Sequence, residues 1–270
     1  MEANESRTFN YTGGVQTFTV PNSGLYFLEC WGGGNSNNVY DNAGTAYGGY
    51  VSGYKYLKKG VVLYICCGGS SGYNGGGAGK GDHYAVWAYV SANNGSGATH
   101  IALVNGVLTD IGETSFCNNG NGLLIAGGAG GCQTHSIANG TTAARRGGAG
   151  GTGGGNGHFG YGNNGPTGEH DHGGGGGGGY RGGLAAGASG SGVPDNGAQG
   201  GTNWIGNVPA IVYKGTTYSP SSSSGTGSGS NGYAKITLIK KGGNSKIGGK
   251  EVTIYFGTKE VTAYLGTKEV

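Results

Sequence analysis

Apolar residues in this chain fall in short blocks separated by polar or glycine-rich stretches. The blocks are "VQTFTV" (15–20), "LYFLECW" (25–31), "YVSGYKYL" (50–57), "VVLYICC" (61–67), "YAVWAYV" (84–90), "THIALV" (99–104), "GLLIAGG" (122–128), "AIVYKGTTYS" (210–219) and "YAKITLIKK" (233–241). Each has strand length, and most are rich in β-branched and aromatic residues. None sustains a helical period. "PNSG" (21–24) is a turn signal, since Pro21 fixes φ and Gly24 tolerates φ > 0. "KKG" (58–60) predicts a hairpin joining 50–57 to 61–67. Within 25–31, Leu25, Phe27 and Trp31 share one face while Tyr26 and Leu28 share the other, so both faces are expected to be covered. The pattern predicts an all-β chain of roughly eight to ten strands, a β-sandwich or jelly-roll.

Glycine changes that picture. It supplies 69 of 270 residues, in tracts at 32–34, 68–81 and 127–131 and most densely over 147–183. The longest run is Gly173 to Gly179. Disorder is the usual reading of such composition. Against it, only 11% of residues are charged, the chain holds 18 Tyr, 6 Phe and 3 Trp, and strand blocks flank the tracts on both sides. An extended helix of three residues per turn makes no internal hydrogen bonds and points its backbone groups sideways. Without Cβ atoms, such helices approach closely enough to bond one another. The tract is therefore expected to form a packed polyglycine II-type bundle braced by the strands. "SPSSSSGTGSGSNG" (219–232), rich in serine, reads instead as a flexible loop.

Five segments carry a resemblance: "FTVPNSGLYFLECWGGG" (18–34), "GGYVSGYKYLKKGVVLYICCGG" (48–69), "GSGATHIAL" (95–103), "GLLIAGGAGG" (122–131) and "GGGGGGGYRGG" (173–183). In that order they resemble the glycine-rich domain family found in the ectodomains of anaplastic lymphoma kinase-type receptors and in bacterial and phage proteins. The resemblance covers about residues 8–240. It implies a β-sandwich beside a bundle of polyglycine-type helices, which in some phage tip adhesins carries variable loops. Cys30, Cys66, Cys67, Cys117 and Cys132 depart from the disulfides of the receptors. An odd number with two adjacent is a poor disulfide framework, and free buried thiols in a reducing compartment are expected.

The C-terminus is different in kind. Gly-Lys-Glu-Val at 249–252 recurs as Gly-Thr-Lys-Glu-Val at 257–261 and 266–270. This repeat resembles those at chain ends of tailed-phage virion proteins, including crAss-like ones. Strands this short must pair with something, whether their own domain, a sister chain or another virion protein. The expected division is a glycine-rich β-sandwich domain at 1–242 and a C-terminal strand repeat at 243–270, with Lys259, Val261, Tyr264 and Val270 as assembly residues.

Charge and motifs narrow the function mainly by exclusion. A net charge of +3 is too weak to imply nucleic acid or a membrane surface. No run of 18 apolar residues spans a membrane, and "MEANESRTFN" lacks a secretory signal, so the chain is expected to fold in a cytoplasm. "GAGKG" (77–81) fails as a phosphate loop because Asn74 and Gly81 stand where Gly and Ser or Thr are required. "GEHDH" (168–172) aligns only His170 and His172, so no metal site is expected and a solvated loop is. Two Arg-Gly-Gly segments are too few for RNA. No nucleophile–base or paired-carboxylate arrangement stands out, so neither an enzyme nor a cofactor is expected. Loops rich in Tyr, Asn, Ser and Gly are good contact material. They occur at 34–50, 89–97, 158–172 and 193–204, with Tyr40, Tyr47, Tyr50, His158, Tyr161, His170, His172 and Trp204 as candidate binding residues.

The expectation is a non-enzymatic phage virion protein, a tail or tail-fibre component presenting a glycine-rich module for host-surface recognition. Its partners would be other virion proteins, sister chains (a trimer by analogy with fibres) and a bacterial surface glycan or protein. The alternatives are a capsid-surface or fibre-base scaffold without receptor binding, and a receptor-type ligand-binding domain.

Overall fold

The structure is a computed structural model. It describes residues 1–36, 44–80, 82–85, 88–136, 142–145, 148–153, 155, 158–165, 173–186, 197–213, 215–242, 245–247, 250–252, 255–256 and 259–260. The described chain is mostly β, with antiparallel sheets.

Ten strands build two five-stranded sheets. They are β1 (Ser6–Asn10), β2 (Val15–Thr19), β3 (Gly24–Trp31), β4 (Tyr50–Leu57), β5 (Val62–Cys66), β6 (Thr99–Ala102), β7 (Gly122–Ala126), β8 (Trp204–Ile205), β9 (Ser221–Ser223) and β10 (Tyr233–Lys241). Sheet one is ordered β1-β10-β3-β4-β9 and sheet two β8-β7-β6-β5-β2. Strand alternation fills the space between them. In β10, Ala234, Ile236 and Leu238 are buried while Tyr233, Lys235 and Thr237 are partly exposed. Tyr26, Leu28 and Val51 from sheet one join Phe18, Leu63, Ile65, Ile101 and Leu124 from sheet two in one core. Each large side chain buried there contributes about 1.5–3 kcal/mol.

Several local expectations are corrected. The 58–60 turn does not close a hairpin: β4 pairs with β3 in sheet one, and β5 pairs with β2 and β6 in sheet two. Crossing between layers lets Val51 and Leu63 meet in the shared core. Block 84–90 is not a single strand, because Asp82–Ala85 pairs antiparallel with Ala88–Ala92. With Gln133–Ser136 and Thr142–Arg145 these form a separate four-stranded sheet. Block 210–219 is likewise a hairpin, Ile211–Tyr213 against Thr216–Tyr218, turned at Gly215 with φ +79°. The serine-rich 219–232 is tied down. Ser221–Ser223 pair with Tyr50–Ser52, and the Gly227 and Ser228 N–H groups donate to the Gly48 and Gly32 carbonyls. Two helical turns, Leu108–Ile111 and Thr114–Asn118, lie between β6 and β7.

All five cysteines are free thiols, and only Cys117 is not fully buried. At the C-terminus, Ser245–Ile247 pairs with Lys250–Val252, and Tyr255–Phe256 with Lys259–Glu260. Lys259 thus sits in a strand, while Val261, Tyr264 and Val270 lie outside the described residues. No helix among the described residues is long and apolar enough to cross a membrane.

Candidate functional site

Gly173–Gly179 is buried along its whole length. Its backbone bonds outward. The N–H groups of Gly175, Gly176, Gly177 and Gly178 donate to the carbonyls of Asn93, Asn163, Gln199 and Ser96 at 3.1, 2.8, 2.9 and 2.9 Å. The carbonyls of Gly174 to Gly179 accept from Ala186, Gly131, Gly77, Gly183, Gly128 and Gly160 at 2.8–2.9 Å. Partners recur every third residue. Gly173 and Gly176 accept from Lys80 and Gly77, Gly174 and Gly177 from Ala186 and Gly183, and Gly175 and Gly178 from Gly131 and Gly128. The tract is therefore enclosed by segments 77–80, 93–96, 128–131, 160–163, 183–186 and 199–202.

Space, rather than φ, is what demands glycine here. None of Gly173–Gly179 has φ in the left-handed range. A Cβ at Gly175 would overlap the Gly77 carbonyl, and one at Gly176 the Gly183 carbonyl. Backbones pack this closely only where no side chain intervenes.

The array has two unlike ends. At one, three of its segments continue directly into sheet two: 97 leads into β6, 127 out of β7 and 202 into β8. Aromatic rings pack at this junction. Phe116 lies 5.5 Å from Trp204 and 5.8 Å from Phe159, and Tyr180 stacks on Trp204 at 6.0 Å. Arg181 grips Glu113 through two bonds of 2.9 and 2.6 Å, and the guanidinium holds the Glu113 carboxyl below its ordinary range.

At the other end, Lys80, Asn93, Gly131, Gly173 and Ala186 meet at one level of the lattice through the bonds of Gly173, Gly174 and Gly175. Gly165 joins them by donating to Ala78, and Gly148 by donating to Ala198. The connections 81–92, 132–147, 166–172 and 187–197 all leave from this end. The four-stranded sheet belongs to the first two. Beside it, a cleft of about 310 Å³ is lined by Asn35, Ser36, Ser70, Ser71, Asn93 and Asn94.

No protein-family model matches this chain, and no curated protein is similar to it.

The sequence-derived binding candidates are spread apart. Tyr47 is 47% exposed. Tyr50 donates to Glu29 Oε1 at 2.9 Å and packs 5.0 Å from Trp31, and burial pushes its hydroxyl up to about 12. It belongs to the outer face of sheet one, where Trp31 also stacks on Tyr233 at 4.4 Å. There the ring faces are spent on one another. Tyr161, 42% exposed, stacks on exposed His158 at 4.9 Å. That pair flanks Gly160, which packs against Leu108, so it lies toward the sheet end of the array. Trp204 is part of the junction cluster. Tyr40, His170 and His172 lie outside the described residues. Two of the quoted stretches, 34–50 and 89–97, do contribute to the polar cleft, but through Asn and Ser rather than Tyr. The signal available in the sequence was the Asn/Ser pairs at the ends of glycine tracts.

Proposed function

We propose that this protein is a non-enzymatic virion structural protein of a tailed phage, a tail or tail-fibre component presenting loops for host-surface recognition. One observation supports the reading above all: four connections leave the glycine array at the end opposite its anchorage in sheet two. A module that has to reach a partner gains from a stiff spacer with loops at its far end.

The finer architecture is part of the proposal. The tract and its neighbours form a polyglycine II-type bundle, supported by partners that recur every three residues. The sheets form a β-sandwich of jelly-roll-like type, a reading supported by the one core that side chains of both sheets fill. The short pairs after residue 242 attach the module to sister chains or other virion proteins, since two-stranded ribbons this small need a partner for stability.

Labelled full-length protein titrated onto a panel of bacterial strains tests the proposal. Saturable binding to some strains, abolished when 187–196 and 166–172 are replaced by Gly-Ser linkers, is the expected result. Binding to no strain, or binding indifferent to those replacements, favours a scaffold.

A further inference from the structure

We propose that the cleft beside the loop-bearing end binds a neutral sugar. This deepens the recognition reading above and rests on it for its biological sense, but its chemistry stands on the cleft alone.

The walls are fixed in advance. Asn94 Oδ1 accepts from the Gly79 N–H at 2.9 Å and its Nδ2 donates to the Ser71 carbonyl at 2.9 Å. Asn35 Nδ2 donates to the Asn94 carbonyl at 2.5 Å, and the Ser70 N–H donates to Asn231 Oδ1 at 2.8 Å. Three chain segments distant in sequence are thereby locked around one volume, and a ligand would not have to order them.

Polar capacity is left over inside it. Asn35 is 5% exposed, and its Oδ1 has no partner among the described residues. The hydroxyls of exposed Ser36 and Ser71 and half-buried Ser70, and the side-chain amide of half-buried Asn93, likewise have no partner among the described residues. Water reaches these groups in the free protein, and a ligand hydroxyl would take its place.

The ligand class follows from what lines the space. Among the described residues no charged side chain does, so a phosphate, a carboxylate or an ammonium finds no counter-charge. No aromatic or large aliphatic side chain does either, so a flat apolar ligand gains little. Hydroxyls and amides that both donate and accept match a compact molecule dense in hydroxyl groups. About 310 Å³ is at the small end for ligand sites and suits one or two pyranose rings. Lacking ring stacking, the affinity is millimolar, and strong attachment requires many copies on one particle.

The test is a titration of the full-length, ¹⁵N-labelled protein with methyl glucoside, methyl mannoside, methyl galactoside and N-acetylglucosamine, with glucosamine and sialic acid as charged comparators. At least one neutral sugar is expected to shift the amides of Ser70, Ser71, Asn93 and Asn94 saturably, and neither charged sugar to do so. Ser71→Trp, which fills the cleft from an exposed position, is expected to weaken binding at least about tenfold, with Asn93→Asp as a second variant that keeps its volume. Unchanged amide spectra elsewhere certify the fold of each variant. No saturable shift at these four amides with any neutral sugar overturns the proposal, as does binding unaffected by both variants. Cell binding that survives Ser71→Trp leaves loop-borne recognition standing while removing the cleft from it; sugar binding without cell binding does the reverse.

Discussion

Asn74 Nδ2 stands 3.1 Å from His100 Nδ1, with both side chains shut away from solvent. The amide donates, so Nδ1 accepts and the ring is neutral. Burial strips the imidazole of solvation and pulls its pKa down to about 3. A chain unfolded at pH 5 protonates this histidine and the folded protein does not. The unfolded state therefore binds more protons between about pH 6.5 and 3, and stability falls as pH is lowered through that window. The slope from this one group is about 1.4 kcal/mol per pH unit. Urea midpoints measured at pH 7, 6 and 5 are expected to fall accordingly, and His100→Phe to remove most of that dependence. Equal slopes in both proteins would contradict the assignment.

Asn74 does more than face the histidine. Its Nδ2 also donates to the Ala98 carbonyl at 2.6 Å, and its Oδ1 accepts from the Leu108 N–H at 3.0 Å. One side chain thus ties a glycine tract to β6 and to the first helical turn. Its backbone sits at φ +66°, so an alanine there would mix strain with bond loss. Asn74→Gly keeps the conformation and removes only the bonds. It is expected to cost about 2–3 kcal/mol, read from the chemical-denaturation midpoint.

These residues show what sequence alone could reveal. The strand blocks were legible because period two is written in β10 as Ala234, Ile236 and Leu238. Strand partners were not. Nothing in Lys58, Lys59 and Gly60 distinguishes a hairpin from a step between layers, because the decision is made by which inward faces meet across the core. Embedding between strands argued for order in Gly173–Gly179. The convergence of 77–80, 93–96, 128–131, 160–163 and 183–186 on that tract is a property of the whole lattice and has no local signature. The cleft was missed for a related reason: Asn35, Ser70 and Asn93 are unremarkable alone and acquire chemistry only when the lattice places them together.

The thiols offer a further check. Burial pushes Cys66 and Cys67 up to about 12 and Cys30 well above the ordinary thiol range, while partly exposed Cys117 is raised to about 11. Thiolate is the reactive species, so none of these four is activated. An aromatic disulfide reagent at pH 8 is expected to leave Cys30, Cys66, Cys67 and Cys132 untouched in the native protein, to modify Cys117 slowly, and to titrate all five in urea. Fast native reaction at any of the four buried positions would contradict the packing of the core.

Glycine substitutions separate space from flexibility most directly. Gly14 has nothing within 4 Å of an added Cβ and a φ outside the left-handed range, so Gly14→Ala is expected to stay within about 1 kcal/mol of the parent. At Gly176 the added methyl would overlap the Gly183 carbonyl, which belongs to backbone held by its own lattice bonds and unable to yield locally. Gly176→Ala is expected to lower stability by about 3 kcal/mol or prevent folding. If the tract were a loose tether, both substitutions would be equally mild. Hydrogen exchange on the unsubstituted protein gives the same discrimination without altering the chain: the amides of Gly175 to Gly178 donate to Asn93, Asn163, Gln199 and Ser96 and are expected to exchange as slowly as those of β6 and β7. Their exchange at the rate of a free peptide would dissolve the lattice and leave the loop-bearing end without a support.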